Sequence, residues 1–330
     1  MKRILHEKKA KREKGDEKAQ RQIIDRLVTL TKKGSVHPPW KDEKEIEHYR
    51  ELIRALRERG MEPFVTLWHF SSPLWFCDKG GWANKKSVWF FSRYVERIVK
   101  ALPEVNFWIT LNEVNVYTLF GYLLAVEPPG KRSLLSYFLA NRYLSLAHRA
   151  AYRIIKEKKK EAMVGVAHSA IFCAKNPVKS FFWNHWFLKS LGNAQDFIGV
   201  NYYKSDRSSS LHTDVGWGID PQGFYLALKE MSRYQKPIYV TENGIADARD
   251  IYRAKFIQDH IAAMKKAVGE GADVRGYFYW SLLDNFEMPR LDGFWPRFGL
   301  VEMDYRTMER KIRPSAWEYK NIIESQKAEL

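Results

Sequence analysis

Apolar residues along this chain gather into short runs set apart by longer stretches of mixed character. The short runs lie near positions 63–67, 105–110, 163–167, 196–201, 237–241 and 275–280. Each has the length and composition of a strand. The intervening segments, such as 87–101, 133–158 and 252–268, have the length of helices. Alternation of this kind predicts a parallel sheet with helices packed outside it, an α/β architecture. Six strand–helix units can be counted where a closed (β/α)8 barrel has eight. No linker-like stretch divides residues 41–330, which are expected to form one domain, with residues 1–40 as a separate basic segment.

Two of the runs end alike. Val105-Asn106-Phe107-Trp108-Ile109 leads into Thr110-Leu111-Asn112-Glu113, and Pro237-Ile238-Tyr239-Val240 leads into Thr241-Glu242-Asn243-Gly244. Strands that turn polar and ionisable at their ends are where an α/β barrel keeps its chemistry. Glu113 and Glu242 so placed suggest two carboxylates facing one pocket, the minimum equipment for breaking a glycosidic bond. Taken singly, either is equally well a strand-end surface residue.

The surroundings favour the first reading. In chain order come Val65-Thr66-Leu67-Trp68-His69-Phe70 with Pro73-Leu74-Trp75-Phe76 and Gly80-Gly81-Trp82, then Thr110 to Glu113 followed by Gly121-Tyr122 and Pro128-Pro129-Gly130. Asp196-Phe197-Ile198-Gly199-Val200-Asn201-Tyr202-Tyr203 and Tyr239 to Gly244 come next. The series closes with Gly276-Tyr277-Phe278-Tyr279-Trp280-Ser281-Leu282-Leu283-Asp284-Asn285-Phe286-Glu287 and Arg297-Phe298-Gly299-Leu300. Over roughly residues 43–325 this series resembles the family 1 glycoside hydrolases, the retaining β-glycosidases, which fold as (β/α)8 TIM barrels.

The resemblance implies roles. Glu242 corresponds to the nucleophile and Glu113 to the acid/base, in a double displacement through a glycosyl-enzyme. Tyr203 corresponds to the donor that steadies the nucleophile. His69, Asn112, Trp280 and Glu287 correspond to sugar-binding positions, with Trp280 as the stacking floor. Asn201 is expected to support Tyr203. Two positions depart from the family pattern: Met288 stands where tryptophan is usual, and Val114 where proline is usual. The methionine blurs the choice between glucose-like and galactose-like sugars.

Glu45 to Arg57 looks like the helix that leads into the family's third strand. Nothing before it matches the first two strands, which carry a sugar-gripping glutamine and an arginine that stabilises the ionised nucleophile. The barrel is therefore expected to be incomplete, with two open strand edges, a feature normally avoided. Without that arginine the pKa of Glu242 is expected to rise and Tyr203 to carry more of the work. Residues 1–33 hold 12 Lys/Arg against 5 Asp/Glu, a large part of the net charge of +16. Such a run is usually a solvated helix or a disordered arm. Ile23, Ile24, Leu27, Val28 and Leu30 give it one weak apolar stripe, so cover of the open wall by this helix together with homo-oligomerisation is the favoured resolution.

Composition adds exclusions. No apolar run approaches the length of a membrane span, and the N-terminal lysines are not followed by a signal-peptide core. Cys77 and Cys173 have no metal-type spacing and read as reduced thiols of a cytoplasmic protein. No metal or other cofactor is expected, for the histidines are scattered and no phosphate-cradling glycine loop is present. The expected partner is a small carbohydrate. Two further readings stay open: a catalytically impaired relative that binds a sugar or other ligand in an opened pocket, and a scaffold whose basic arm contacts nucleic acid or anionic membrane.

Overall fold

The structure of the chain, a computed structural model, describes residues 43–173, 176–288, 291 and 293–328. The basic segment expected over residues 1–40, and its role as a cover, lie outside the described residues. Six parallel strands form one sheet in chain order: β1 (Phe64–Thr66), β2 (Phe107–Asn112), β3 (Met163–Ser169), β4 (Phe197–Tyr202), β5 (Ile238–Asn243) and β6 (Val274–Tyr279). The principal helices are α1 (Glu43–Glu58), α2 (Lys86–Ala101), α3 (Leu134–Lys158), a helical run α4 over residues 177–191, α5 (Pro221–Met231), α6 (Arg253–Gly269) and α7 (Pro314–Ala328). A short antiparallel pair, β7 (Val301–Met303) and β8 (Arg310–Ile312), follows β6. Among the described residues this is an incomplete (β/α)8 barrel without counterparts of the first two strands.

Local signals set the helix ends. Ser133 accepts a hydrogen bond from the Ser136 amide at 3.2 Å and so caps α3. Asp220 does the same for α5 from Gly223 at 3.0 Å, with Pro221 at the first helical position. Helices bury one stripe each: Phe91, Val95 and Val99 of α2 repeat every four residues, as do Ala140, Leu144, Ala151 and Ile155 along α3 in steps of four and seven.

Strand alternation sorts β3 cleanly. Val164 and Val166 join the core beneath the helices, whereas Met163 and Ala167 point into the barrel. Inside the barrel Phe64, Phe107, Phe197 and Tyr239 form an aromatic plug, the Phe64 and Phe107 rings stacking at 4.2 Å. Gly165 makes room for it, since a Cβ there would lie 2.7 Å from the Phe197 ring. The open edges β1 and β6 share no ladder, yet the Phe64 and Phe278 rings meet at 5.0 Å. The seam is thus bridged by side chains and not by backbone hydrogen bonds. Phe278 remains 37% exposed, which marks where the barrel interior reaches solvent.

The loop after β6 is held by buried ions. Asp284 accepts from Arg313 at 3.0 and 3.2 Å and from the Gly299 amide at 2.8 Å. Arg253, fully buried, donates to the Tyr279 hydroxyl at 2.9 Å and the Arg297 carbonyl at 2.8 Å. Buried charges persist only when paired and hydrogen-bonded in this way.

Candidate active site

A cavity of about 380 Å³ opens at the C-terminal ends of the strands. Its lining includes His69, Glu113, Tyr203, Glu242, Trp280 and Glu287, six of the seven site residues expected from the sequence. Asn112 lies just behind the lining, 1% exposed.

Backbone irregularity at the strand ends aims these side chains. Pairing shifts register between Ile109 and Asn112 of β2, between Val200 and Asn201 at the β4–β5 pair, and between Val240 and Asn243 of β5. A bulge re-aims the residues beside it. Glu113, which follows β2, has φ of 44°, a left-handed conformation uncommon outside glycine. Its amide donates to the Ala167 carbonyl at 2.8 Å and its carbonyl accepts from the Tyr117 amide at 3.0 Å, so neighbours on both sides fix the turn. Gly244 serves packing, because a Cβ there would overlap the Trp280 carbonyl.

Asn201 is the hub. Its Nδ2 donates to Glu113 Oε1 at 3.0 Å and to Asn112 Oδ1 at 3.1 Å, while its Oδ1 accepts from Thr241 Oγ1 at 2.6 Å. The expectation that Asn201 supports Tyr203 is therefore corrected: the bulge at the end of β4 turns its amide toward the Glu113 side of the site. With Oδ1 engaged, Asn112 Nδ2 is left as a buried donor without a partner, which is costly unless something else fills it.

Glu242 has further neighbours of its own. Tyr203 donates its hydroxyl to Glu242 Oε2 at 2.7 Å, and His69 Nε2 stands 4.0 Å from Glu242 Oε1. Packing around the His69 ring, though part of it faces the open cavity, lowers its pKa to about 4, so it is neutral at pH 7. Among the described residues no Lys or Arg lies within ion-pair distance of Glu242. Burial, then the nearby Glu113 charge, push the Glu242 carboxyl well above the usual range, against the pull of the Tyr203 hydrogen bond. Burial and the same carboxylates push the Tyr203 hydroxyl upward too, which keeps it a donor.

Trp280 donates Nε1 to Glu287 Oε1 at 3.1 Å, and its ring lies 5.6 Å from that of His69. These make one wall, continued by Met288 and Phe298. The opposite wall was not legible beforehand. Lys179 and Trp183, four residues apart on α4, and Lys204 with Trp217 complete it. Lys204 Nζ sits 5.3 Å above the Trp217 ring. The described residues contain no grouping of His, Cys, Asp and Glu able to hold a metal ion.

Comparison with known proteins decides the family. The sequence profile of "Glycosyl hydrolase family 1" matches residues 35–182 and 206–328. The chain belongs to glycosyl hydrolase family 1. A β-glucosidase A from Thermotoga maritima is 29% identical over 86% of this chain and 78% of its own length. A chloroplastic galactolipid galactosyltransferase from Arabidopsis thaliana is 29% identical over 86% of this chain, which spans about half (51%) of that protein. A β-glycosidase structure from Pyrococcus horikoshii superposes with TM-score 0.80 at 37% identity, covering 85% of this chain and 75% of that one. Family membership supports β-glycoside hydrolysis in broad terms and agrees with the incomplete barrel, for the solved relatives are longer.

Proposed function

We propose that the chain is a retaining β-glycosidase that hydrolyses β-linked glucosides or galactosides with two glutamates. The observation that carries this reading is the juxtaposition of two buried carboxyl groups in one cavity with an aromatic floor, Glu113 accepting from Asn201 and Glu242 from Tyr203. Glu242 as carboxylate attacks the anomeric carbon while Glu113, holding a proton, passes it to the departing oxygen. Water then enters, Glu113 takes its proton as base, and the bond to Glu242 breaks. Tyr203 steadies the charge on Glu242 before attack and as it returns. The unfilled Nδ2 of Asn112 suits the sugar hydroxyl next to the anomeric carbon, and Trp280, Glu287 and His69 suit the ring and its outer hydroxyls.

A second reading is a catalytically impaired relative that binds a sugar without rapid turnover. The raised pKa of Glu242, with no Lys or Arg within ion-pair distance among the described residues, favours this alternative, because a carboxyl that holds its proton is a poor nucleophile. Hydrolysis of aryl β-glucoside, galactoside, fucoside and mannoside by the purified chain, beside Glu242→Ala and Glu113→Ala, separates the two. Turnover that collapses in Glu242→Ala supports the glycosidase and names the sugar. A folded parent no faster than its variants leaves the binding reading.

The two cysteines are unpaired, Cys77 exposed and Cys173 buried. This supports a reducing compartment, and we place the protein in the cytoplasm. Among the described residues no helix is long and apolar enough to cross a membrane.

A further inference from the structure

Large apolar side chains are exposed together on one side of the cavity mouth. Leu134, Leu135 and Phe138 on the first turns of α3 are 60%, 69% and 48% exposed, and Val178, Phe181 and Phe182 on α4 are 64%, 39% and 55% exposed. Phe138 lies four and three residues after Leu134 and Leu135, and Phe181 and Phe182 lie three and four after Val178, so each set shares a surface. The Trp186 ring joins the two sets, 5.7 Å from Phe138 and 6.3 Å from Phe182. Exposed apolar residues scattered singly need no explanation, but a contiguous patch marks an interaction surface.

Its location follows from topology. Both helices start from the C-terminal ends of their preceding strands, β2 and β3, the end that carries the cavity. Lys179 and Trp183 of α4 line the cavity itself, while Phe181 and Phe182 face outward from the same run. The patch is therefore the rim of the active-site mouth. Cations flank it: exposed Lys131 and Arg132 directly precede α3, Arg142 lies on α3, and Lys189 Nζ sits 5.2 Å over the Phe181 ring. Of the nearby acids, Asp206 pairs with Lys179 at 3.8 Å and Glu230 bonds His185 at 2.8 Å, behind the patch.

We propose that this rim is a docking surface for an anionic lipid bilayer. Phenylalanine, tryptophan and leucine fringed by Lys and Arg form the chemistry of a protein that lies in the headgroup layer without spanning it. The net charge of +16 attracts a negative leaflet and repels a second copy of the chain, which favours lipid over self-association. On the glycosidase reading above, docking would bring the mouth to glycosides whose aglycone is anchored in the membrane. Docking itself does not depend on that reading.

Flotation of the full chain with vesicles tests the proposal, using phosphatidylcholine alone and phosphatidylcholine with phosphatidylglycerol. The chain should float with the anionic vesicles and much less with neutral ones. The double variant Leu135→Ser/Phe182→Ser should partition about a hundredfold less, since each side chain contributes about a factor of ten in transfer. Its circular dichroism and its activity on a soluble aryl glycoside should not change. Lys131→Glu/Arg132→Glu, at exposed positions, should weaken flotation with anionic vesicles and so provides an independent arm. The proposal is overturned if the parent does not float, or if both double variants float as well as the parent. A dimeric parent that Leu135→Ser/Phe182→Ser converts to monomer without any lipid binding would also overturn it, and would make the patch an interface between copies. Because flotation does not read turnover, its outcome is separate from that of the aryl glycoside assay.

Discussion

The wall from β2 to β5 and the seam between β1 and β6 are built from the same kinds of residue, yet they are held in opposite ways. In the wall each strand is hydrogen-bonded on both sides, and its ends place Asn112, Glu113, Asn201 and Thr241 within one polar network, with Glu242 next to Thr241 on β5. At the seam no ladder exists and an aromatic plug, Phe64 against Phe278, bridges the gap. Position and electrostatics are thus separable in this molecule. The wall suffices to hold two carboxyl groups in place, whereas the cation that would lower the pKa of Glu242 has no counterpart among the described residues. The placement of the two carboxyl groups therefore survives an open barrel better than the charge balance around them does.

Substitutions in the wall should change rate more than stability, and those at the seam the reverse. The largest effect is expected for the glutamates: Glu113→Ala should lower kcat by roughly 10²–10⁴-fold on a substrate with a poor leaving group. In kcat/KM it should lose little on an activated aryl glycoside, where the departing oxygen needs no proton, while kcat still falls there because Glu113 is also the base of the second step. Equal kcat/KM losses on both substrates would argue that Glu113 is only structural. Tyr203→Phe comes next. Loss of one hydrogen bond to a charged group, about 1.5–3 kcal/mol, should cost roughly 10–100-fold in kcat/KM and move the acid limb of the pH profile upward. An unmoved acid limb would mean that Tyr203 does not set the charge of Glu242.

At the seam, Phe64→Ala should lower stability by about 1–3 kcal/mol, less than for a fully buried ring because Phe64 is only partly covered. Activity per folded molecule should stay near that of the parent. Urea titration with parallel rate measurement checks both, and a large fall in kcat with unchanged stability would erase the contrast between wall and seam. The smallest effect concerns Glu242. Its folded-state pKa is raised, so its contribution to stability is fully present below the unfolded-state value and is lost as pH rises through the folded one. Glu242→Gln removes that loss and should raise the melting temperature by a few degrees near neutral pH, with the gain shrinking toward pH 4. A variant less stable than the parent at pH 7 would contradict the raised pKa.

Much of this was legible in the sequence. The six strands fall where apolar runs end in polar clusters, and α2, α3 and α6 match the stretches read as helices to within a residue or so, since strand–helix alternation is a strong local signal. The two glutamates were legible because each follows an apolar run immediately. The role of Asn201 was not, because a register shift at the end of β4 decides which way its amide points, and pairing irregularities leave no local trace. The plug across the seam was equally hidden: Phe64 and Phe278 are more than two hundred positions apart and read as ordinary strand residues. The wall contributed by Lys179 and Trp183 escaped notice for a different reason. Residues 180–188 are aromatic on every side, so no periodicity shows which face the fold covers.

The proposed double displacement requires that Glu242 form a bond to the sugar. Incubation of the folded chain with a 2-deoxy-2-fluoro-β-glycoside bearing an activated leaving group, followed by intact and peptide mass spectrometry, tests it most directly. The fluorine slows breakdown of the glycosyl-enzyme more than it slows the escape of the good leaving group. One fluoroglycosyl unit per chain is expected, located on Glu242 and absent from Glu242→Gln. Turnover of the parent glycoside with no adduct, or an adduct on any other residue, would contradict it.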